Sequence, residues 1–409
     1  MKRIAILLGC LCLIVAGSRA QKIKTGIEVL KSEDFKSLEG LRIGLVTNPT
    51  GVDNNLVSDI DLLHRAANVK LVALFGPEHG VRGSSHAGDA VDNDSDAATG
   101  LPVFSLYGKN RIPSNDMLKG IDVLVYDIQD VGCRSFTYIS TLYNVMKAAV
   151  RNHKKVVVLD RPNPLGGEKI EGNMTEDNCI SFVSQFKIPY VYGLTPGELA
   201  LYLNGEGLIP GGRCDLQVIK MKGWKRRMTY EDTGLHWVLS SPHIPEASTA
   251  PFYSVTGIIG ELYNISIGVG YTLPFKLIGA EWIKAPEFAE RMNNLRLPGV
   301  TFRPIYYTPY YSVGKGKELQ GVQVYFTDYR KASLCDVQWY ALQELYKLYP
   351  DHDPLKEATD RHNMFDKVCG SFEVRKLFMK RHMWEDAKPY WDKDVASFRK
   401  IAKKYHLYK

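Results

Sequence analysis

In the first half of the chain, continuous apolar runs alternate with segments whose apolar residues recur at helical spacing. The helical spacing predicts helices over residues 55–67 and 138–150. Apolar runs without alternating polar positions are typical of strands buried on both faces. Five such runs predict strands over residues 41–47, 69–75, 103–107, 121–127 and 155–160. This alternation predicts an α/β fold, a Rossmann-like doubly wound parallel sheet with helices on both faces.

From about Cys214 the pattern becomes more mixed. Three further strands are predicted over 215–219, 305–311 and 320–326, and three helices over 286–295, 335–349 and 394–404. These segments predict a smaller, mixed α+β C-terminal domain. We place the boundary near residues 245–255, which gives a first domain over 21–250 and a second over 251–409.

The first twenty residues have the pattern of an export signal. Lys2 and Arg3 precede an apolar stretch over residues 4–16, and small residues lead up to Ala20. This arrangement predicts a secretory signal peptide cleaved after Ala20, and hence a periplasmic or secreted protein. The apolar stretch is too short to span a bilayer, and no later run is long enough to do so. A lipoprotein cleavage box ending at Cys10 is the alternative, with a very short apolar region before it.

The amino-acid composition of the chain limits the kinds of ligand and macromolecule that it is expected to bind. Hydrophobic residues make up 45% of the 409 residues and charged residues 24%, which is enough for a large core. Removal of residues 1–20 takes away Lys2, Arg3 and Arg19 and no acid, so the net charge falls from +7 to +4. This mild excess is spread along the chain, and we expect no nucleic-acid partner. The five remaining cysteines are widely spaced and form no metal or redox motif.

Four of the predicted strands are followed by unusual polar turns. Because the carboxyl ends of parallel strands meet at one edge of the sheet, where ligands bind, the turns predict one composite site. The four turns cover residues 48–51, 76–80, 127–132 and 160–167.

Several common chemistries lack their motifs. No Gly-x-Gly-x-x-Gly follows the first strand and no phosphate-binding loop occurs, so we expect no nucleotide cofactor. No Gly-x-Ser-x-Gly elbow supplies a serine nucleophile. A metal-dependent hydrolase stays open on residue types alone, although no recognised ligand spacing supports it. The side chains that could gather at the sheet edge for this purpose are His79, His86, Asp89, Asp127 and Asp160.

The chemistry that these missing motifs leave open is acid–base or nucleophilic catalysis by carboxylates. Glu78 lies in the turn Gly-Pro-Glu-His-Gly over residues 76–80 and is the favoured proton donor or acceptor. Cleavage of a glycosidic bond needs such an acid, together with a second carboxylate or an N-acetyl group on the sugar itself. We name Asp127 as the second catalytic candidate, and the choice among these routes stays open. The other available carboxylates are Asp130, Asp160, Glu171 and Glu198.

Each of these residues also has a structural interpretation. Glu78 could cap a helix or pair with a nearby arginine. Asp160 and Arg161 could form an ion pair that fixes a loop. Tyr138 lies on a helical face that is typical of a core. Glu198 stands three residues after Thr195, which favours a helix capping box.

Five motifs, in this order, resemble the exo-β-N-acetylmuramidases of bacterial peptidoglycan turnover, formerly a domain of unknown function. The resemblance runs from about Thr25 to the last residues of the chain. The motifs are Leu-Phe-Gly-Pro-Glu-His-Gly-Val-Arg-Gly over 74–83, Asp-Ile-Gln-Asp-Val-Gly over 127–132, Thr-Tyr at 137–138, Leu-Asp-Arg-Pro-Asn-Pro over 159–164 and Tyr-Gly-Leu-Thr-Pro-Gly-Glu-Leu-Ala over 192–200.

The resemblance implies a Rossmann-like catalytic domain, a smaller C-terminal domain and a site in the cleft between them. It implies release of terminal N-acetylmuramic acid from the non-reducing ends of peptidoglycan fragments, with Glu78 as the catalytic glutamate. We expect no cofactor. The substrate partner would be an amino-sugar glycan. Our candidate substrate-binding residues are Asn48, His79, Arg82, Gln129, Asp130, Arg134, Tyr138, Asp160, Arg161, Asn163, Glu261, Asn264 and Ser266.

One segment of the second half departs from the family pattern. Where the family has an acid and an arginine, this sequence has Ile267 and Val269, and a usual Ser-Pro-Asn ends here in His243. Loss of an arginine would remove an anion contact, such as one to the lactyl carboxylate of muramic acid. The hypothesis is a retained sugar-cleaving core with altered substrate recognition. The alternative is a glycan-binding paralogue of weak or no activity.

Overall fold

The computed structural model of the protein describes residues 23–83 and 94–409. The predicted signal peptide and the alternative at Cys10 therefore lie outside the described residues. The same holds for His86 and Asp89, two of the metal-ligand candidates. Within the described ranges, no helix combines the length and the apolar composition needed to cross a membrane.

A seven-stranded sheet forms the first part of the chain. Its strand order is β3-β4-β2-β1-β5-β6-β7, with six strands parallel and the short β3 antiparallel to β4. The order reverses between β1 and β5, which is the position where sheets of this kind bind ligands. The strands are β1 (Arg42–Thr47), β2 (Lys70–Gly76), β3 (Asp94–Ser95), β4 (Pro102–Ser105), β5 (Val123–Asp127), β6 (Lys155–Leu159) and β7 (Asp215–Ile219).

Helices cover both faces of this sheet. Successive strand residues alternate between two hydrophobic clusters, one shared with α1 and α2 and the other with α3 and α4. The predicted doubly wound arrangement is confirmed. These helices are α1 (Gly26–Ser32), α2 (Asp59–Arg65), α3 (Tyr138–Arg151) and α4 (Pro196–Gly205). At the start of α4, Thr195 and Glu198 form the predicted capping box.

The second part of the chain is built around a three-stranded antiparallel sheet of order β8-β10-β9, packed against helices. Its strands are β8 (Leu277–Ala280), β9 (Val300–Tyr307) and β10 (Leu319–Phe326). Its helices are α5 (Ala250–Gly260), α6 (Ala285–Asn294), α7 (Leu334–Leu348), α8 (Pro354–Glu357), α9 (His362–Cys369), α10 (Phe372–Met379), α11 (Trp384–Trp391) and α12 (Val395–Ala402).

One strand was assigned to the wrong sheet by the sequence pattern. The segment 215–219 was placed in the mixed region, whereas β7 pairs in parallel with β6 from Lys155↔Asp215 to Leu159↔Ile219. As an edge strand it is only partly buried, and its alternating polar residues reflect that exposure. The predicted helix over 55–67 is also shorter, because Leu56 adopts a positive φ of 63° and is half exposed.

The two parts share one hydrophobic core. Cys133 and Tyr190 from the first part belong to the same buried cluster as Ile258 of α5 and Trp339 of α7. The chain end also returns to the first sheet, where Phe398 of α12 packs on Tyr202 with ring centroids 5.5 Å apart. The contact region between the two parts is thus extensive, and the functional cleft lies along it.

Candidate active site

The turn that follows β2 presents Glu78 and His79. His79 and Gly80 both have a φ of +74°, the left-handed region that L side chains rarely adopt. The turn is also tight, because a Cβ on Gly76 would lie 3.0 Å from the Val81 nitrogen. A strained backbone of this kind is maintained only where the surrounding structure enforces it, and such positions cluster at functional sites.

A cleft of about 300 Å³ opens at this turn, between the first sheet and the second part of the chain. The first part contributes one wall and α5 with the loops after it contributes the other. The lining residues are Glu78, His79, Ser135, Phe136, Thr137, Tyr138, Ser241, His243, Tyr253, Gly257, Gly260, Glu261, Tyr263, Ile265, Ile267, Val269, Phe275, Ser312 and Val313.

Two tyrosines surround the half-buried carboxylate of Glu78. The hydroxyl of Tyr107 hydrogen-bonds with Glu78, and burial together with the negative charge of Glu78 raises the pKa of Tyr107 to about 12. Burial likewise raises the pKa of Tyr138, whose hydroxyl donates to the carbonyl of Ser240. Both phenols therefore keep their protons at neutral pH. Glu78 has a hydrogen-bond donor beside it as well as access to the cleft.

Glu261 is the second carboxylate in the cleft. It caps the C-terminal end of α5, and burial raises its pKa above the ordinary value for glutamate. The guanidinium of Arg361 opposes this rise, with Nη2 3.6 Å from Glu261 Oε2. The cleft thus holds two carboxylates in different surroundings, the kind of pair that glycosidic bond cleavage uses.

His243 lies on the same wall as the Glu78 turn. Its Nε2 is 3.0 Å from the hydroxyl of Tyr311, and burial, followed by the nearby His79, lowers the pKa of His243. A neutral imidazole at this position can donate or accept one hydrogen bond, according to its tautomer.

Asp127, the predicted second catalytic residue, lies outside the cleft lining. It is fully buried at the end of β5, where Arg161 donates to both of its oxygens, at 2.5 and 2.8 Å. Asp59 is buried beside this pair, accepts from the Thr47 hydroxyl at 2.5 Å, and has a raised pKa because of burial and the charge of Asp127. The structure therefore favours a structural role for Asp127 and Arg161, and the partner of the Arg161 guanidinium is Asp127 rather than Asp160, as the ion-pair alternative had it.

Asp130 and Asp160 are also enclosed by protein. Burial raises the pKa of Asp130 to about 6, and the carboxylate accepts from the hydroxyl of Tyr192. Burial raises the pKa of Asp160 to about 7, although Tyr408, Thr195 and the Gly197 amide all donate to it. These contacts fix the loops after β5 and β6 to α4 and to the chain end.

Three more predicted site residues brace loops through backbone contacts. Buried Arg134 donates to the carbonyls of Asn173, Ile188 and Val368. Gln129 donates to the carbonyls of Asp130 and Pro162, and Asn163 donates to that of Leu194. None of the three lines the cleft.

The remaining predicted site residues likewise lie outside the cleft lining. Arg82 pairs with Asp96 at 2.8 Å. Asn264 donates to the Pro354 carbonyl, and Ser266 is buried where its backbone bridges to β8. Asn48 accepts from Thr50 at 3.0 Å, and its amide lies next to Tyr138. Of the fifteen predicted residues, the structure brings four into the cleft lining, namely Glu78, His79, Tyr138 and Glu261.

Sequence reasoning missed several aromatic residues of the site. Tyr107 follows β4, and Tyr253 and Phe275 resemble ordinary core residues in the sequence. The Tyr253 hydroxyl lies 3.2 Å from the Ser135 hydroxyl at the cleft wall. A signal was available for Tyr107, because it follows a strand of the same parallel sheet and so lies at the same edge.

The positions that depart from the family pattern all line the cleft. They are Ile267 and Val269 on the second part of the chain and His243 on the first. Within residues 23–83 and 94–409, no three side chains of the His, Cys, Asp and Glu types come together as a metal site.

A strained turn presents one carboxylate at the carboxyl edge of a parallel sheet, and a second carboxylate lines the same cleft, an arrangement that is compatible with a glycoside hydrolase. Comparisons with known proteins support this class. The N-terminal model of the exo-beta-N-acetylmuramidase NamZ matches residues 43–248, and the C-terminal model matches residues 251–408. The chain belongs to the exo-β-N-acetylmuramidase NamZ family and is a glycoside hydrolase.

Individual relatives agree with this assignment. The chain is 44% identical to the peptidoglycan beta-N-acetylmuramidase NamZ of Bacillus subtilis, over 96% of this chain and 92% of that protein. It is similar to two crystal structures of DUF1343 family proteins from Bacteroides fragilis. One is 60% identical with a TM-score of 0.91, and the other 28% identical with a TM-score of 0.74. Each alignment covers 95% of this chain and 99% of the other.

Proposed function

We propose that this chain is an exported, exo-acting glycoside hydrolase. It releases N-acetylmuramic acid, or a related N-acetylated amino sugar, from the non-reducing ends of peptidoglycan fragments. The observation that carries the proposal is the position of Glu78, which lines the cleft from a strained turn and has the Tyr107 hydroxyl as a hydrogen-bond partner. The activity named for the Bacillus subtilis relative supports the substrate class.

In this proposal Glu78 is the general acid and base. Leaving-group departure requires a proton on the glycosidic oxygen, and a half-buried carboxyl at the cleft wall can supply it. That proton departs with the leaving group, and the resulting carboxylate of Glu78 then takes a proton from the attacking water. Tyr107 stays protonated and acts as a hydrogen-bond donor that holds Glu78 in place, whereas the hydroxyl of Tyr138 donates to the Ser240 carbonyl.

We assign the second catalytic role to Glu261 rather than Asp127. Glu261 lines the cleft, whereas both oxygens of Asp127 already accept from Arg161. Glu261 would either act directly at the anomeric carbon or water, or orient the acetamide of the sugar for its own attack. The raised pKa of Glu261 is consistent with a group that exchanges a proton during the reaction.

The size of the cleft supports exo action. A volume of about 300 Å³ is at the lower end of the range for small-ligand pockets. Such a site suits one terminal sugar residue better than an extended glycan that passes through. Export is proposed from the N-terminal sequence, where Lys2 and Arg3 precede the apolar stretch that ends before Ala20.

The test is hydrolysis of 4-nitrophenyl β-N-acetylmuraminide and of the N-acetylglucosaminide by the protein and by Glu78→Gln. Glu290→Gln is the matched control, because Glu290 is exposed on α6 outside the cleft. We expect the Glu78 variant to lose activity and the control to retain it. Binding of the sugars without turnover in the unmodified protein would instead identify a non-catalytic binding protein. Loss of activity with EDTA that a divalent metal restores would identify a metal-dependent hydrolase.

A further inference from the structure

An exposed aromatic ring lies at the mouth of the cleft. Tyr263 follows α5 and lines the cleft, yet it keeps 63% of its surface exposed. Other lining residues are enclosed, since Tyr138 and Ile265 are each only 1% exposed. The lining therefore runs from buried side chains inside the cleft to an aromatic ring that faces solvent at its opening.

The backbone of Tyr263 is strained. Its φ of 57° lies in the left-handed region, where a bulky side chain is an outlier. The amide of Tyr263 donates to the Gly260 carbonyl at 3.2 Å, in the turn that ends α5. Helices that end with a left-handed residue usually have glycine or asparagine there. A tyrosine makes this turn less stable, and outliers of this kind are concentrated at ligand contacts and other functional sites.

The neighbouring Arg361 holds the ring of Tyr263 in place. The guanidinium lies over the ring, 4.4 Å from its centroid, as in a cation–π contact. Arg361 is itself fixed by Glu261, because its Nε donates to the Glu261 carbonyl at 3.0 Å and its Nη2 lies 3.6 Å from the carboxylate. One face of the tyrosine ring is thus covered, and the exposed remainder is available to a ligand.

The position of the ring indicates which part of a glycan it would meet. A cleft of about 300 Å³ suits one terminal sugar, so the rest of the glycan leaves through the mouth. The first sugar beyond the scissile bond is the one that departs. In a β-linked N-acetylglucosamine the ring substituents are equatorial, so C–H groups cover both faces of the sugar. Such a face is apolar and packs well on an aromatic ring.

We propose that Tyr263 is a binding platform for the leaving-group sugar, the residue on the reducing side of the bond that is cleaved. This inference rests on the proposed function and adds a second sugar site to it. Tyr263 takes no part in proton transfer. Its contact with the departing sugar contributes binding energy that positions the glycosidic bond at Glu78.

The experiment compares two substrates that differ in the leaving group. One is the disaccharide of N-acetylmuramic acid β-1,4-linked to N-acetylglucosamine, and the other is the β-azide of N-acetylmuramic acid, whose leaving group has no ring. The quantity measured is the ratio of kcat/KM for the disaccharide to kcat/KM for the azide. Tyr263→Asn should lower this ratio about tenfold, a factor typical of one well-packed aromatic contact. Tyr263→Phe retains the ring and should keep the ratio.

A matched control and a stability measurement accompany the comparison. Tyr306 is 54% exposed on β9 and outside the cleft lining, so Tyr306→Asn should keep the ratio. Asparagine tolerates the left-handed backbone better than tyrosine does. The melting temperature of Tyr263→Asn should therefore equal or exceed that of the unmodified protein, although the ratio falls.

The outcomes separate this inference from the proposed function. An unchanged ratio in Tyr263→Asn overturns the inference and leaves the muramidase proposal intact. An equal fall for both substrates with a lower melting temperature also overturns it, because Tyr263 would then be a structural residue. If the unmodified protein cleaves neither substrate, the proposed function fails, and calorimetric binding of the disaccharide and of N-acetylmuramic acid decides. A preference for the disaccharide that Tyr263→Asn removes supports the platform, and any other binding result overturns it.

Discussion

The turn after β2 and the turns after β5 and β6 look alike in sequence, yet they have different roles in the structure. All three follow a buried parallel strand and bring carboxylates to the same edge of the sheet. Glu78, in the first, lines the cleft, whereas Asp127 and Asp160 are fully buried among protein donors. Position at the sheet edge therefore does not by itself make a carboxylate available to substrate.

The difference lies in the donors that each turn meets. Arg161 provides two donors for Asp127, and Tyr408, Thr195 and the Gly197 amide provide three for Asp160. Burial of a charge requires such partners, and groups that have them hold loops together. The β2 turn instead keeps Glu78 half buried at the cleft.

The largest effect is expected at Glu78. Replacement by Gln keeps the size of the side chain and removes the proton that the leaving group needs. We expect kcat/KM on the muraminide to fall about a thousandfold, as for loss of a general acid. The melting temperature should stay within about 1 °C of the unmodified protein, since surface-accessible polar changes rarely alter stability much.

The control at Glu290 and the measurement of stability decide the interpretation. Activity of Glu78→Gln within a few-fold of that of Glu290→Gln would contradict the catalytic role of Glu78. A large fall in its melting temperature would show that Glu78 is a structural group like Asp127.

The second prediction concerns stability rather than catalysis. Arg161→Met leaves Asp127 and Asp59 buried together without their cation. We expect the free energy of unfolding to fall by about 3–5 kcal/mol, as when a buried ion pair loses one partner. Arg161→Lys should recover part of this loss, because it retains the charge and loses the two-point geometry. Chemical denaturation measures both variants, and an unchanged midpoint in Arg161→Met would contradict the structural role.

The sheet could be predicted because its central strands are apolar throughout. Because β1, β5 and β6 are buried on both faces, apolar residues do not alternate with polar ones along them. This continuous apolar pattern identifies them as strands in the sequence. The edge strand β7 is partly exposed and its mixed sequence misled the assignment. Among the short helices, α10 packs on α9 and α11, while α9 also contacts α5 and α11 contacts α7, and no local sequence pattern records these contacts.

Residue chemistry alone predicted the site at the turn of Glu78 and His79, and the family resemblance added Tyr138 and Glu261. Two glycines and a proline around Glu78 and His79 signalled a tight turn, and the positive φ of His79 bears this out. The turns of the buried aspartates also contain glycine, and the turn over 160–167 contains two prolines, so residue types did not distinguish them from the Glu78 turn. Which of them meets an arginine or a tyrosine depends on segments distant in sequence, such as Tyr408 beside Asp160. These contacts join residues that lie far apart in the chain, so no local sequence pattern predicts them.

The third prediction compares the two carboxylates of the cleft. Glu261→Gln should lower kcat on the muraminide roughly 10- to 100-fold, less than the change at Glu78, if Glu261 acts beside it. The pKa of Glu261 is raised by burial, so the limb of the pH–rate profile that reports its ionisation should disappear in the variant. A profile identical to that of the unmodified protein would assign Glu261 to structure, together with Asp127.

The smallest effect is expected at Arg82, a predicted site residue that pairs with Asp96. Arg82 and the Thr99 hydroxyl lower the pKa of Asp96 to about 2, below its value of about 4 in an unfolded chain. The ionised pair therefore stabilises the fold above pH 4, and this contribution is lost as the pH falls towards 2.

Asp96→Asn should lower the free energy of unfolding by about 1 kcal/mol at pH 6, a modest amount because Arg82 is partly exposed. The difference in melting temperature from the unmodified protein should narrow at pH 3. A difference that is constant across this range would show that the hydrogen bonds of Asp96, rather than its charge, stabilise this turn.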